Sequence, residues 1–307
     1  MPRSCFEFGR MLAVALLAAS VLLYSGCGGG SSSSPSVGAL SGNWQINLVK
    51  NYPYQQEQLS VSGFLQQSSG SLTGSVQVPT ITSLGGTVTC GGVGPITGSI
   101  NGQNVTFALN AGGATFNFTG TVSSNPTSMS GSYEALGGAC YPYATSGTWT
   151  ASLIPALNGS FKGTLDSNYM AALTGSNSPV PVTVSGSFTQ SPNSGGSSAT
   201  LSGTITAVGY PCFTTASLTG TISGQNIYLS MYSYNGSPIG TLGQIQQVGA
   251  APTPAVLTVT STGMVVTGYN SNTSGFFVDV GSPCPAVINS FGQSQTTDSG
   301  GFTLNVE

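Results

Sequence analysis

The chain contains no histidine and almost no charge: four basic and seven acidic side chains in 307 residues, a net charge of −3. Each shortage excludes something. Without histidine, the commonest general base and transition-metal ligand is missing. Beyond residue 26 the only cations are Lys50 and Lys162, so no basic surface can neutralise phosphates, and a nucleic-acid partner is excluded. The sequence has no Gly-x-Ser-x-Gly elbow, no CxxC pair and no aspartate-rich calcium loop, so it implies neither a metal nor a cofactor. What it has in quantity is glycine, 45 residues, together with a 39% hydrophobic fraction. That apolar content is enough to bury cores, and the length suggests two domains.

Residues 1–26 read as a targeting segment. Arg3 and Arg10 give a basic start, and Met11 to Tyr24 is a largely apolar run, too short to span a bilayer core of about 30 Å. The segment closes on Leu23-Tyr24-Ser25-Gly26-Cys27, followed by Gly28-Gly29-Gly30 and a run of serines. This resembles the lipobox of bacterial lipoproteins, in which small residues precede a cysteine that is acylated and becomes the mature N-terminus. Tyr24 departs from the family pattern, which favours Leu there. The resemblance implies palmitate-type acylation of Cys27, with the lipid bilayer as partner. Gly28 rather than Asp after the cysteine points to the outer membrane of the bacterial envelope. Residues 27–39 are then a lipidated cysteine and a flexible Gly/Ser tether.

The remainder is a duplication. Leu40, Gly42, Trp44, Leu48, Asn51 and Tyr52 match Leu157, Gly159, Phe161, Leu165, Asn168 and Tyr169 at an offset of 117. Cys90, Gly98, Ile100, Gly102, Gln103 and Val105 match Cys212, Gly220, Ile222, Gly224, Gln225 and Ile227 at an offset of 122. The first repeat therefore runs over 40–155 and the second over 156–307, with so short a connection that the copies should touch. Four cysteines remain for the exported body, two per repeat. The simplest pairing keeps disulfides within repeats: Cys90 with Cys140, and Cys212 with Cys284.

The dominant sequence period is two. Val105, Phe107 and Leu109 alternate with Thr106 and Ala108, and Trp149, Ala151 and Leu153 alternate with Thr150 and Ser152. Such alternation marks half-buried antiparallel strands, and no stretch beyond residue 38 carries a helical period. Strands of the first repeat are expected to begin near Gly42, Glu57, Ser71, Pro95, Gln103, Ala114, Thr127 and Ala144. A recurring word puts a glycine between apolar residues, as in Leu72-Thr73-Gly74-Ser75-Val76 and Phe118-Thr119-Gly120-Thr121-Val122. An inward glycine lets a sheet bend, or lets a ring from the next strand lie over it. The fold class is all-β: two tandem antiparallel up-and-down β-barrels, or flattened barrels, after a signal peptide and a flexible tether.

Gly42-x-Trp44 opening a first strand, and Leu72-Thr73-Gly74 closing an early hairpin, are similar to the lipocalin and avidin group of calycin barrels. That resemblance implies a barrel able to hold a small ligand; the second repeat departs from it with Phe161 in place of Trp. An immunoglobulin sandwich would want its Trp after the first cysteine, whereas Trp44 precedes Cys90. A parallel β-helix would not explain the hairpin turns or the long period.

Catalysis has little to work with. The acidic residues after the signal, Glu57, Glu134, Asp166, Asp279, Asp298 and Glu307, read as solvated charges, and no pair of them recurs between repeats to suggest glycosidase carboxylates. The expectation is a non-catalytic protein. For binding, the candidates are rings beside amides and prolines: Tyr52, Tyr54, Tyr141, Tyr143, Tyr169 and Tyr210, which could grip a small apolar ligand or a glycan at the barrel mouths. The alternative is a structural or adhesive envelope protein with filled β domains. The two are separated by whether the barrel interiors are open or packed. With so few titrating groups, stability should vary little between about pH 4 and pH 8.

Overall fold

The computed structural model describes residues 39–50, 58–82, 89–111, 113–136, 145–243, 253–269, 275–289 and 291–307. Cys27, Cys140 and the loop tyrosines Tyr52, Tyr54, Tyr141 and Tyr143 lie outside the described residues. Among the described residues, no helix is long and apolar enough to cross a membrane.

The first repeat closes into an eight-stranded antiparallel barrel: β1 (Gly42–Lys50), β2 (Gln58–Ser68), β3 (Ser71–Thr82), β4 (Thr89–Asn101), β5 (Asn104–Ala111), β6 (Ala114–Val122), β7 (Ser128–Leu136) and β8 (Thr145–Ile154). Each strand pairs with the next, and β8 returns to β1 with Leu48 opposite Trp149 and Trp44 opposite Leu153. Strand β4 starts earlier than the expected Pro95 because Gly94, Gly92 and, past a register shift, Cys90 pair with Val76, Val78 and Ile81 of β3.

The alternation does what the period predicts. Trp44, Ile46, Leu48, Phe107, Leu109, Phe116, Phe118 and Trp149 all face a single core. Glycine words make room for rings. A methyl group added at Gly120 would stand 2.8 Å from the Trp149 ring, and one at Gly186 would stand 2.5 Å from Phe161. The glycine is what lets the ring lie flat against the sheet.

The second repeat forms β9 (Gly159–Ser167), a short helix α1 (Asn168–Thr174), β10 (Val180–Gln190), β11 (Ala199–Ala207), β12 (Thr215–Ser223) and β13 (Asn226–Tyr232). Its far wall is then built in two tiers. One tier is β15 (Ala255–Thr260), β16 (Gly263–Gly268) and β21 (Phe302–Val306), which leads from β13 back to β9 and closes the barrel. The other is β14 (Pro238–Leu242), β17 (Phe276–Val278) and β20 (Asp298–Gly300), also starting on β13. A separate hairpin, β18 (Val287–Ile288) and β19 (Ser294–Gln295), stands outside the wall.

Strand pairing extends the duplication beyond what sequence matching reached. Leu48 faces Trp149 in the first barrel, and its counterpart Leu165 faces Phe302 in the second. Phe302 therefore occupies the Trp149 position, at an offset of 153 rather than 122, an insertion of 31 residues in the second copy. Each barrel is also stoppered alike at the end where it begins: Leu40 and Leu157 are fully buried, and their backbone N–H groups donate to Gln67 and Gln190.

Helix α1 was not expected from periodicity, and at seven residues it is too short to show any. Its caps are the readable signal. The Ser167 hydroxyl accepts from Met170 N, and Gly175 ends the helix at φ 71°.

The barrels touch. Asn43, Gln45 and Ser62 sit on the outer face of β1 and β2 yet are buried, because the β12–β13 turn of the second barrel docks on them. Asn43 donates to Gly224 O at 2.9 Å and accepts from Gly224 N at 2.6 Å, while Gln225 N donates to Gln45 at 3.1 Å. Phe64, also outward-facing on β2, joins the second barrel's core beside Ile154 and Leu157. Apolar burial and hydrogen bonds together fix one docking of the two copies.

Candidate functional site

The loops of each barrel gather by topology at one end. In the first barrel, the strand ends at Lys50, Gln58, Thr82, Thr89, Leu136 and Thr145 share one rim, with Cys90 near the start of β4; Tyr52, Tyr54, Cys140, Tyr141 and Tyr143 fall in the sequence between these ends. The loop residues lie outside the described residues, and the Cys90 side chain does too. In the second barrel, the corresponding rim carries α1, the 208–214 loop and the chain from 279 to 297, and here the chemistry is visible.

At this rim the structure buries a carboxylate. Asp298 is 3% exposed. Its Oδ1 accepts from Tyr169 N at 2.8 Å and Ser299 N at 2.7 Å; its Oδ2 accepts from the Ser167 hydroxyl at 2.5 Å and the Tyr210 hydroxyl at 2.6 Å. One side chain thus ties together the end of β9, the start of α1, the 208–214 loop and β20. Burial raises the Asp298 pKa above the ordinary carboxylate value, and the four hydrogen bonds oppose that shift in part. Burial beside this carboxylate also pushes the Tyr210 hydroxyl far above its usual range, so it stays protonated as a donor.

The reading of the acidic residues as solvated charges therefore fails at Asp298. Thr296-Thr297-Asp298-Ser299-Gly300 reads locally as a turn, and nothing in it signals that its partners come from over 80 residues away. Glu134, Asp166, Asp279 and Glu307 are exposed as expected, and Glu307 pairs with Lys162 at 3.4 Å in solvent, a contact of little energetic weight.

Two of the proposed binding tyrosines meet at this network. Tyr169 is 1% exposed and donates through its hydroxyl to Pro285 O at 2.8 Å. Tyr210 is 4% exposed, donates to Asp298 and packs edge-on against Phe213 with ring centroids 5.1 Å apart. Both rings and both hydroxyls are committed inside the protein. The Cys212–Cys284 disulfide closes the same rim, joining the 208–214 loop to the chain that leads into the β18–β19 hairpin.

Outside this network lies a groove of about 510 Å³ between helix α1 with its following turn, on one side, and the β18–β19 hairpin on the other. Sequence reasoning did not single out its residues; Asn289-Ser290-Phe291-Gly292 reads as an ordinary turn. Among the described residues, no cluster of acidic or cysteine side chains could hold a metal ion, and no buried side-chain polar atom lacks a hydrogen-bond partner.

Comparison with protein-family models, with curated proteins and with solved structures finds no match to this chain.

Proposed function

We propose that this chain is a bacterial lipoprotein, held at the outer membrane through acylated Cys27 and a Gly/Ser tether, whose two filled barrels serve the envelope as a structural or adhesive, non-catalytic body. The observation that supports this most is the packing of the first barrel's interior. Phe107 and Phe118 stack with centroids 4.4 Å apart, and Trp149 meets both edge-on at 5.3 and 5.6 Å. Its indole N–H is spent on Thr119 O and Ser132 O. Rings packed this closely on the inner face of β5, β6 and β8, with Leu40 buried at the end, take up interior volume that an internal ligand would need. The disulfide at the second rim suits an exported protein.

A second reading keeps a small apolar ligand or glycan at the barrel mouth, and one topological fact favours it: the strand ends that flank Tyr52, Tyr54, Tyr141 and Tyr143 in the sequence share one rim. Native mass spectrometry of the mature protein, exported from a bacterial host and exposed to an envelope extract, separates the two. The proposal expects the mass of the Cys27-acylated chain with nothing further bound; an apolar adduct of a few hundred daltons that is lost on unfolding would refute a filled interior.

A further inference from the structure

The 31-residue insertion of the second copy carries the β18–β19 hairpin, which faces α1 across the groove, and both walls are fixed from within. On one wall, Ser167 caps α1 while bonded to Asp298, and Asn168 donates to Ser299 O at 2.7 Å. On the other, Cys284 is covalently tied to Cys212, and Pro285 O is held by the Tyr169 hydroxyl.

The hairpin tip is locked as well. The Asn289 carboxamide oxygen accepts from Phe291 N at 3.0 Å and Gln293 N at 2.9 Å. This locked turn holds Phe291 out at 85% exposure, with Ile288 beside it at 67%. A lone exposed apolar residue is ordinary. A phenyl ring and an aliphatic side chain held together on the wall of a pre-formed groove are different, because the ordering cost of a binding surface has been met in advance.

The rest of the lining selects the occupant. It contains no ionisable side chain and is rich in amides and hydroxyls, among them Asn177, Ser178, Asn289 and Gln295. The groove lies within the range of about 300–1,000 Å³ typical of small-molecule sites. A charged ligand would find no counter-charge there, and a purely apolar one would strip water from the amides without replacing their hydrogen bonds.

We propose that this groove binds a neutral glycan, with the C–H face of one sugar ring stacked on Phe291 and its hydroxyls paired to the surrounding amide and hydroxyl side chains. The proposal rests on the adhesive reading of the chain and gives that reading a site. It locates recognition on the outer face of the second barrel, away from both filled interiors.

The test uses the full processed chain in detergent, titrated calorimetrically with maltohexaose, cellohexaose and chitohexaose at millimolar concentrations. At least one should bind, and F291A should weaken it by about tenfold or more, as loss of a central ring contact does, while leaving the melting curve unchanged because Phe291 packs on so little. Q295A should weaken it more mildly. No binding of any of the three to the wild-type chain overturns the proposal. So does binding that F291A and Q295A leave intact. If that intact binding is lost when Tyr52, Tyr54, Tyr141 and Tyr143 are changed to Ala, the glycan is held by those tyrosines of the first copy and the adhesive reading survives without this groove. Acylation of Cys27 is read separately by mass, so a failure of the anchor is distinct from a failure of the site.

Discussion

Removing the Asp298 carboxylate should destabilise the second barrel more than any other single polar change in it. In D298A, the Tyr169 and Ser299 amides and the Tyr210 hydroxyl lose their acceptor, and the Ser167 hydroxyl keeps only the bond it receives from Met170 N. Each buried donor left without a partner costs about 1–3 kcal/mol. Some will find water in the space vacated, so the total should come to roughly 3–5 kcal/mol, at the upper end of single-site effects. At about 2–4 °C per kcal/mol for a body of this size, the melting temperature should fall by roughly 10 °C. D298N should lose much less, because its amide can accept from the two backbone N–H groups and donate to the two hydroxyls.

The pH dependence is the sharper arm of the same experiment. A carboxylate whose folded pKa lies above its unfolded value contributes stability that is complete below the unfolded pKa, near 3.9, and is lost as pH rises through the folded one. Wild-type stability should therefore decline as pH rises from about 4, where composition alone predicts a flat profile, and D298N should stay flat over the same range. Denaturant melts at a series of pH values measure both. Parallel profiles for wild type and D298N, or a D298A melt within a degree of wild type, would refute the assignment of Asp298 as a buried and unneutralised carboxylate.

Three further outcomes follow from the geometry. The turns Gly102 and Gly224 share a left-handed backbone, φ 60° and 55°, but a methyl group on Gly102 meets open space whereas one on Gly224 meets Gln45 and Ser62. G224A should therefore loosen the two barrels while G102A, carrying the same backbone strain, should not, as read by NMR rotational correlation times of the two barrels. Reduction of Cys212–Cys284, which closes a separation of 72 residues, should cost about 4 kcal/mol in the chain-entropy model; by duplication the oxidised mature chain should be four hydrogens lighter than the reduced one, and a deficit of only two would reject the Cys90–Cys140 pairing. W149A should destabilise the first barrel by about 3–5 kcal/mol, and a loss below 1 kcal/mol by denaturant unfolding would show that the ring stack does not fill the bore.

Much of the fold was legible because its physics is local. Period-two alternation and tight turns located seven of the first barrel's strands within a residue or two, and the inward glycines announced rings lying over them. Strand β4 was misjudged at its start because Gly94 and Pro95 weaken a strand intrinsically, while pairing with β3 holds it regardless. In the second copy the match to Trp149 was missed, since 31 inserted residues shift Phe302 out of register and only hydrogen-bond pairing restores it.

The site was less legible, for the opposite reason. Asp298, Ser167 and Tyr210 are drawn together across three connections, and no spacing in sequence encodes that meeting. The same holds for the groove, whose walls are residues 168–179 and 287–295. Tyr169 and Tyr210 read from the sequence as ligand-binding rings, whereas burial and their bonds to Pro285 O and Asp298 make them ties within the protein.

The two copies differ on the face where they meet. Asn43 and Gln45, which receive the second barrel's turn, correspond to Ser160 and Lys162 in the second copy, where a shorter serine and the exposed Lys162–Glu307 pair stand in place of the two amides.

The most direct test of the account is the mass of the N-terminal peptide of the protein purified from bacterial membranes. The account predicts a peptide beginning at Cys27 and carrying a diacylglyceryl group on its sulfur. A mature terminus at another residue with an unmodified Cys27, or a chain recovered wholly in the soluble fraction, would contradict it.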